Sequence, residues 1–206
     1  SPTWSADGTR LVFGMPTATA QSALGERDAS SAGPTRTIYQ ENGLSALHPF
    51  DETRDGRLVV FGRMIGGTQR GIGVLSRVDG TVTTYLDGNV AGAQAALSPD
   101  RAWLAYTSSD VSPPAVVVQT FPDPSGGRWT ISSGGGTAPR WRRDGRELFY
   151  IDAERRLSGV QYPDVEEYQQ AVDEAQENLV LLESDQTITD IGGAGSAVQA
   201  AQDGSL

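Results

Sequence analysis

An aspartate-turn motif returns along this chain at a nearly constant interval, and that repeat restricts the possible folds more than any other feature. The windows WSADGTRLVF (4–13), ETRDGRLVVF (52–61), LSPDRAWLAY (97–106) and WRRDGRELFY (141–150) set aspartates at Asp7, Asp55, Asp100 and Asp144, spaced by 48, 45 and 44 residues. Four residues beyond each aspartate stands Leu11, Val59, Leu104 or Leu148, and six beyond it Phe13, Phe61, Tyr106 or Tyr150. A shorter copy, AAQDGSL, brings Asp203 and Gly204 after a longer gap of 59 residues. Asp-Gly supplies the positive φ of a tight turn between antiparallel strands. Positions four and six past the turn share one face of the following strand, because side chains alternate with period two. The intervening Val12, Val60, Ala105 and Phe149 are also apolar, which predicts a strand covered on both faces.

A second hairpin follows in each unit where it can be read. Residues 72–77, the turn Val78-Asp79-Gly80 and residues 81–86 form one; residues 115–121, the turn at Gly126-Gly127 and residues 128–132 form another. Thr35 to Gln40 matches Thr81 to Leu86 in its place before the next repeat. Four short strands in ~45 residues is the size of a propeller blade. Between 15 and 34 a Ser/Ala/Gly/Thr-rich stretch offers no recognisable third strand for the first unit, and Arg101 replaces the turn glycine of the third.

The copies resemble the TolB-type, WD-like β-propeller repeat of bacterial proteins, whose motif runs roughly W-S-P-D-G before an apolar strand. The stretch from Val116 to Tyr150 is similar to propellers appended to bacterial serine/threonine kinases. The resemblance implies an all-β, partial β-propeller of about four blades, each of four antiparallel strands. The region 1–206 is expected to be a single propeller region, with repeats starting near 1, 49, 94, 138 and 197, and a fragment of a larger propeller. Self-association through open strand edges is expected. The resemblance also implies a bacterial protein in a periplasmic or other extracytoplasmic setting.

The ends differ in charge. Residues 1–156 carry 16 acids and 16 arginines, whereas 157–206 carry ten acids and no base, and so hold the whole net charge of −10. A neutral body with an acidic end provides no footprint for nucleic acid, and no apolar run is long enough to insert into a membrane. Val165, Tyr168, Val172, Ala175, Leu179 and Leu182 recur at helical spacing among acids, which predicts one short acidic helix near 165–177, followed by a strand through Leu179 to Leu182.

Catalytic signatures are missing. The chain has no cysteine and one histidine, His48, and no nucleophile elbow, P-loop or zinc-protease motif. No catalytic residue, metal or cofactor is expected. The turn aspartates stand alone beside their glycines and are read as structural, not as calcium ligands. Trp4 and Trp141 are expected in the blade core, and Arg140, Arg142, Arg143 and Arg146 on a solvated sheet surface. Two functions fit: a non-catalytic binding or sensory module for a protein, peptide or glycan, or the gating propeller of a prolyl oligopeptidase-type peptidase whose hydrolase domain is absent here. Strand parity places the segments 62–71, 108–114, 87–95, 43–48 and 133–139 at the end opposite the Asp-Gly turns. His48, read as a loop residue, and Arg63, Arg70 and Asp110 are the candidate binding groups there, the two arginines suiting a carboxylate or phosphate.

Overall fold

The turns begin from a shared local chemistry, visible in a computed structural model that describes residues 2–17, 21–30, 33–88 and 94–161. A hydroxyl two residues before the aspartate organises the first three. Ser5 Oγ donates to Asp7 at 2.6 Å and accepts from the Arg10 amide at 2.9 Å. Thr53 does the same with Asp55 and the Leu58 amide, and Ser98 with Asp100 and the Trp103 amide. Each aspartate also accepts from the amide two residues on, as Asp144 does from Arg146 at 3.1 Å. Gly8, Gly56 and Gly145 take positive φ, and Arg101, where the glycine is missing, adopts the same conformation at φ 66°. The departure in the third repeat leaves the turn geometry unchanged.

These turns open four antiparallel sheets, each laid out in chain order. Sheet 1 holds β1 (Thr3–Trp4), β2 (Arg10–Pro16), β3 (Ser22–Asp28) and β4 (Arg36–Glu41). Sheet 2 holds β5 (Ala46–Glu52), β6 (Leu58–Ile65), β7 (Thr68–Ser76) and β8 (Val82–Asp87). Sheet 3 holds β9 (Ala96–Leu97), β10 (Trp103–Ser108), β11 (Ala115–Thr120) and β12 (Arg128–Thr130), with a 3-10 turn at Pro124–Gly126. Sheet 4 has β13 (Gly136–Trp141), β14 (Glu147–Asp152) and β15 (Leu157–Gln161). The chain divides at Gln161. The expected acidic helix near 165–177, the strand after it and the fifth repeat lie outside the described residues.

The first strands of successive sheets lie beside one another, β5 against β1, β9 against β5 and β13 against β9. The core is therefore made between sheet faces. Val12 and Leu24 of sheet 1 bury against Leu47, Val59, Phe61 and Leu75 of sheet 2. Val60, Ile72 and Val74 of sheet 2 bury against Leu104, Tyr106 and Val117 of sheet 3. Hydrogen bonds cross the same seams: Asp51 accepts from the Leu97 amide at 2.9 Å, and Tyr85 donates to the Thr120 carbonyl at 2.6 Å. Both faces of β6 and β10 are buried, as expected for strands enclosed between two neighbours.

Three expectations are corrected. The third strand of the first sheet exists and is β3, whose small residues and buried Glu26 hide it from an apolar pattern. The segment 62–71 is a hairpin rather than an irregular loop: β6 and β7 extend through it and meet at Gly66-Gly67, both at positive φ as a two-residue hairpin turn requires. Trp4 is not core, being 57% exposed. It pairs with Leu11 and shares that residue's outward face, whereas Trp141 is half-buried with its indole N–H on the Ala96 carbonyl of sheet 3.

Candidate binding sites

Among the described residues, the end opposite the Asp-Gly turns carries the connecting segments 42–45, 109–114 and 131–135 and the Gly66-Gly67 hairpin. His48 is not on a loop. It stands within β5 opposite Gly62 on β6, because the strand begins at Ala46 and runs through Pro49. Its ring is half-buried, its Nδ1 has no hydrogen-bond partner among the described residues, and burial lowers its pKa below the usual histidine range. It lines a cleft of about 370 Å³ together with Met15, Pro16, Ser22 and Ser45.

Arg63, also on β6, is held in place. Its Nε donates to Glu41 at 3.0 Å, an Nη reaches Thr84 at 3.2 Å, and the guanidinium lies 5.5 Å from the Phe61 ring centroid. Its side chain is 15% exposed. Asp110, in the 109–114 loop, accepts from Arg128 at 2.6 Å and from the Ser108 hydroxyl. Arg70 is exposed on β7. The four groups share one end, three on sheet 2 and one on sheet 3. Arg140, Arg142, Arg143 and Arg146 are exposed, and Arg142 pairs with Asp144 and Glu147.

A second site was missed by sequence reasoning. At the Asp-Gly end, sheets 1 and 2 enclose a cleft of about 400 Å³ lined by Asp7, Arg10, Arg36, Glu52, Arg54 and Arg77, among others. Beneath it Glu26 is buried and receives Arg77 Nη1 at 2.7 Å, Arg36 Nε at 2.8 Å and Arg10 Nη1 at 3.3 Å. Burial alone raises its pKa, but the hydrogen bonds from Arg77 and Arg36 outweigh that and hold the carboxyl below the usual range. Glu52 goes the other way: burial raises its pKa, and Arg77 and Arg10 offset this only in part. The available signal was positional. Three residues before the turn aspartate the repeat has Trp4, Leu97 and Trp141, and Glu52 is the charged exception.

Among the described residues no group of three or more histidines and carboxylates could hold a metal ion, and no helix is long and apolar enough to cross a membrane.

Consecutive antiparallel sheets, three of four strands and one of three among the described residues, with their first strands side by side and their faces stacked, define a β-propeller, here a partial one. Solved structures place it more closely: the fold is that of the TolB-type propeller. TolB from Acinetobacter baumannii superposes with a TM-score of 0.62 at 18% identity, over 77% of this chain and 39% of that one. A chain of a nidogen/laminin complex gives 0.59 at 13% identity, over 78% and 59%. A structure of prolyl endopeptidases gives 0.50 at 14% identity, over 79% and 29%. The chain thus spans less than two thirds of the length of each. No family model and no curated protein sequence matches it.

Proposed function

We propose that this chain is a non-catalytic propeller module that recognises a protein, peptide or glycan through the end opposite its Asp-Gly turns. The observation that carries the reading is the division of labour between the two ends. Short turns with a shared hydrogen-bond pattern close one end, while the other bears the variable loops, and loops on a rigid scaffold are where recognition concentrates. Similarity to TolB and to a nidogen/laminin complex supports a binding role, as fold-level analogy, and the TolB likeness supports an extracytoplasmic setting. His48, Arg63, Arg70 and Asp110 are the polar groups offered.

The test screens the purified chain against a glycan array and a displayed peptide library, then measures the best binder on two double variants. Arg63→Ala with Arg70→Ala is expected to weaken binding at least tenfold. Arg57→Ala with Arg146→Ala, beside the Asp-Gly turns, is expected to leave it unchanged. Equal loss from both pairs, or loss from the second alone, would defeat the assignment.

A further inference from the structure

The seam between sheets 1 and 2 departs from the seam beside it at four equivalent positions. Repeat position equates Arg10 of sheet 1 with Leu58 of sheet 2. Register equates Glu26 with Val74, because Val12 pairs with Glu26 as Val60 pairs with Val74. Glu52 of sheet 2 corresponds to Leu97 of sheet 3, each three residues before its turn aspartate. Arg77 corresponds to Phe121, since their amides bond to the carbonyls of Arg57 and Ala102, each two residues past the turn aspartate. Val74, Leu97 and Phe121 belong to the apolar cluster between sheets 2 and 3, and Leu58 packs against it. Between sheets 1 and 2 the same four places hold two arginines and two glutamates. An apolar filling is commonly as stable as a buried ion pair, and this chain uses one a single seam along. A rule broken at four places together marks a functional position.

The cleft over these charges has a net positive lining, with Arg10, Arg36, Arg54 and Arg77 against Asp7, Glu52 and Asp55. Glu26 beneath is saturated by three arginines, and Asp55 is answered from sheet 3 by Arg101; counting both leaves the excess unchanged. Arg54 carries it. Its side chain is exposed and has no partner among the described residues, where the first and third repeats have Ala6 and Pro99. Arg36 is 70% exposed and gives Glu26 only its Nε and Nη2. Arg10 Nη2 stands 3.7 Å from Asp7, beyond hydrogen-bond reach. These N–H groups are the donors left for an occupant, and Glu26 fixes two of the three guanidinium groups in advance. A guanidinium fork matches a carboxylate or a phosphate. Ile38 on the cleft wall offers apolar contact to a carbon stem, which favours the carboxylate. We propose that the cleft between sheets 1 and 2 binds a carboxylate of a peptide or protein partner, an acidic side chain or a chain end, held by Arg54 with Arg36 and Arg10. The site lies at the end away from His48, Arg63 and Arg70, and stands independently of the binding face proposed above.

The full chain, labelled with nitrogen-15, is titrated with N-acetyl-Gly-Glu-Gly N-methylamide, whose side chain is its sole charge, and with N-acetyl-Gly-Gly-Leu, whose chain end is. The amide resonance of Thr37, in the cleft lining, is followed. A saturable shift is expected with at least one peptide, and which one responds identifies the source of the carboxylate. Binding is expected to be at least tenfold weaker in Arg54→Gln and absent with the matching glutamine peptide. Arg143→Gln, at the same turn position in sheet 4, and Arg63→Ala with Arg70→Ala are expected to leave it unchanged. Arg54 is exposed, so its variant is expected to fold, which the backbone amide spectrum checks. No saturable shift with either peptide, a shift that Arg54→Gln leaves unchanged, or an equal response to the glutamine peptide overturns the proposal. Equal loss from Arg143→Gln or from the Arg63 and Arg70 pair overturns it as well. Tighter binding of inorganic phosphate overturns it in favour of phosphate recognition.

Discussion

Glu26 and Glu52 share one interface yet hold their protons in opposite senses, and the difference comes from their partners. Glu26 accepts from three arginines, whereas at Glu52 burial outweighs Arg77, Arg10 and the Ala6 amide together. Removing Glu26 leaves Arg77, 13% exposed, without its best carboxylate. Glu26→Gln is therefore expected to destabilise the chain by about 3 kcal/mol at neutral pH in urea denaturation, since an uncompensated buried charge costs that much. The stability Glu26 contributes is present above its unfolded pKa and is lost as pH falls through its lower folded value. For Glu52 the folded carboxyl binds its proton more tightly than the unfolded one. Its protonated form favours folding below the folded pKa, and that advantage disappears as pH rises through it. Between its unfolded and folded pKa, Glu52→Gln should thus gain stability relative to the parent as pH rises. Denaturation midpoints measured across that range check the sign, and a difference that shrinks with rising pH would show the burial argument to be wrong.

At the scale of strands, one joint between sheets 1 and 2 runs through a glycine. A Cβ at Gly14 on β2 would fall on the Leu47 carbonyl oxygen of β5, inside van der Waals contact, and backbone has no freedom to swing away as a long side chain does. Gly14→Ala is expected to push sheets 1 and 2 apart and to cost about 1–3 kcal/mol, the range for overpacking. Gly134→Ala, where a Cβ meets nothing within 4 Å, is the control and should be near neutral in the same thermal melt. The turn chemistry is the other device at this scale. The Thr53 hydroxyl heads the hydrogen bonds that lower the Asp55 carboxyl to about 2, followed by the Arg57 amide. Ser5 in turn holds the Asp7 carboxyl well below its usual range.

For the whole molecule, the question is which sheet faces are covered. Val59 and Phe61 of sheet 2 and Leu104 and Tyr106 of sheet 3 are buried in clusters shared with the preceding sheet, and Leu148 of sheet 4 is buried as well. The equivalent Leu11 and Phe13 of sheet 1 are half-exposed, and Trp4 beside them is largely exposed. An apolar face of that kind tends to associate. Sedimentation velocity at rising concentration is expected to show self-association, reduced by Trp4→Glu. A monodisperse monomer at high concentration would count against it.

Sheet order, the turns and the two-sided burial of β6 and β10 were legible in the repeat, because Asp-Gly chemistry and a two-residue period are local properties of the chain. So was Arg101 as a turn residue, since its aspartate and flanking strands kept their spacing. The strand β3 was not legible: its buried run, Ser22 to Glu26, is mostly small or polar and ends in a carboxylate, whose burial three arginines drawn from β2, β4 and the segment after β7 make tolerable. His48 looked like a loop residue beside Pro49, yet pairing with β6 extends the strand through it. The cleft at the Asp-Gly end depends on the same kind of fact. The composition of the repeat marks Glu52 as an exception, but only the apposition of two sheets turns that exception into a buried carboxylate facing an arginine 25 residues further along the chain. Local hydrogen bonding and periodicity determined the elements; desolvation between faces, which no single strand carries, decided where charge was buried.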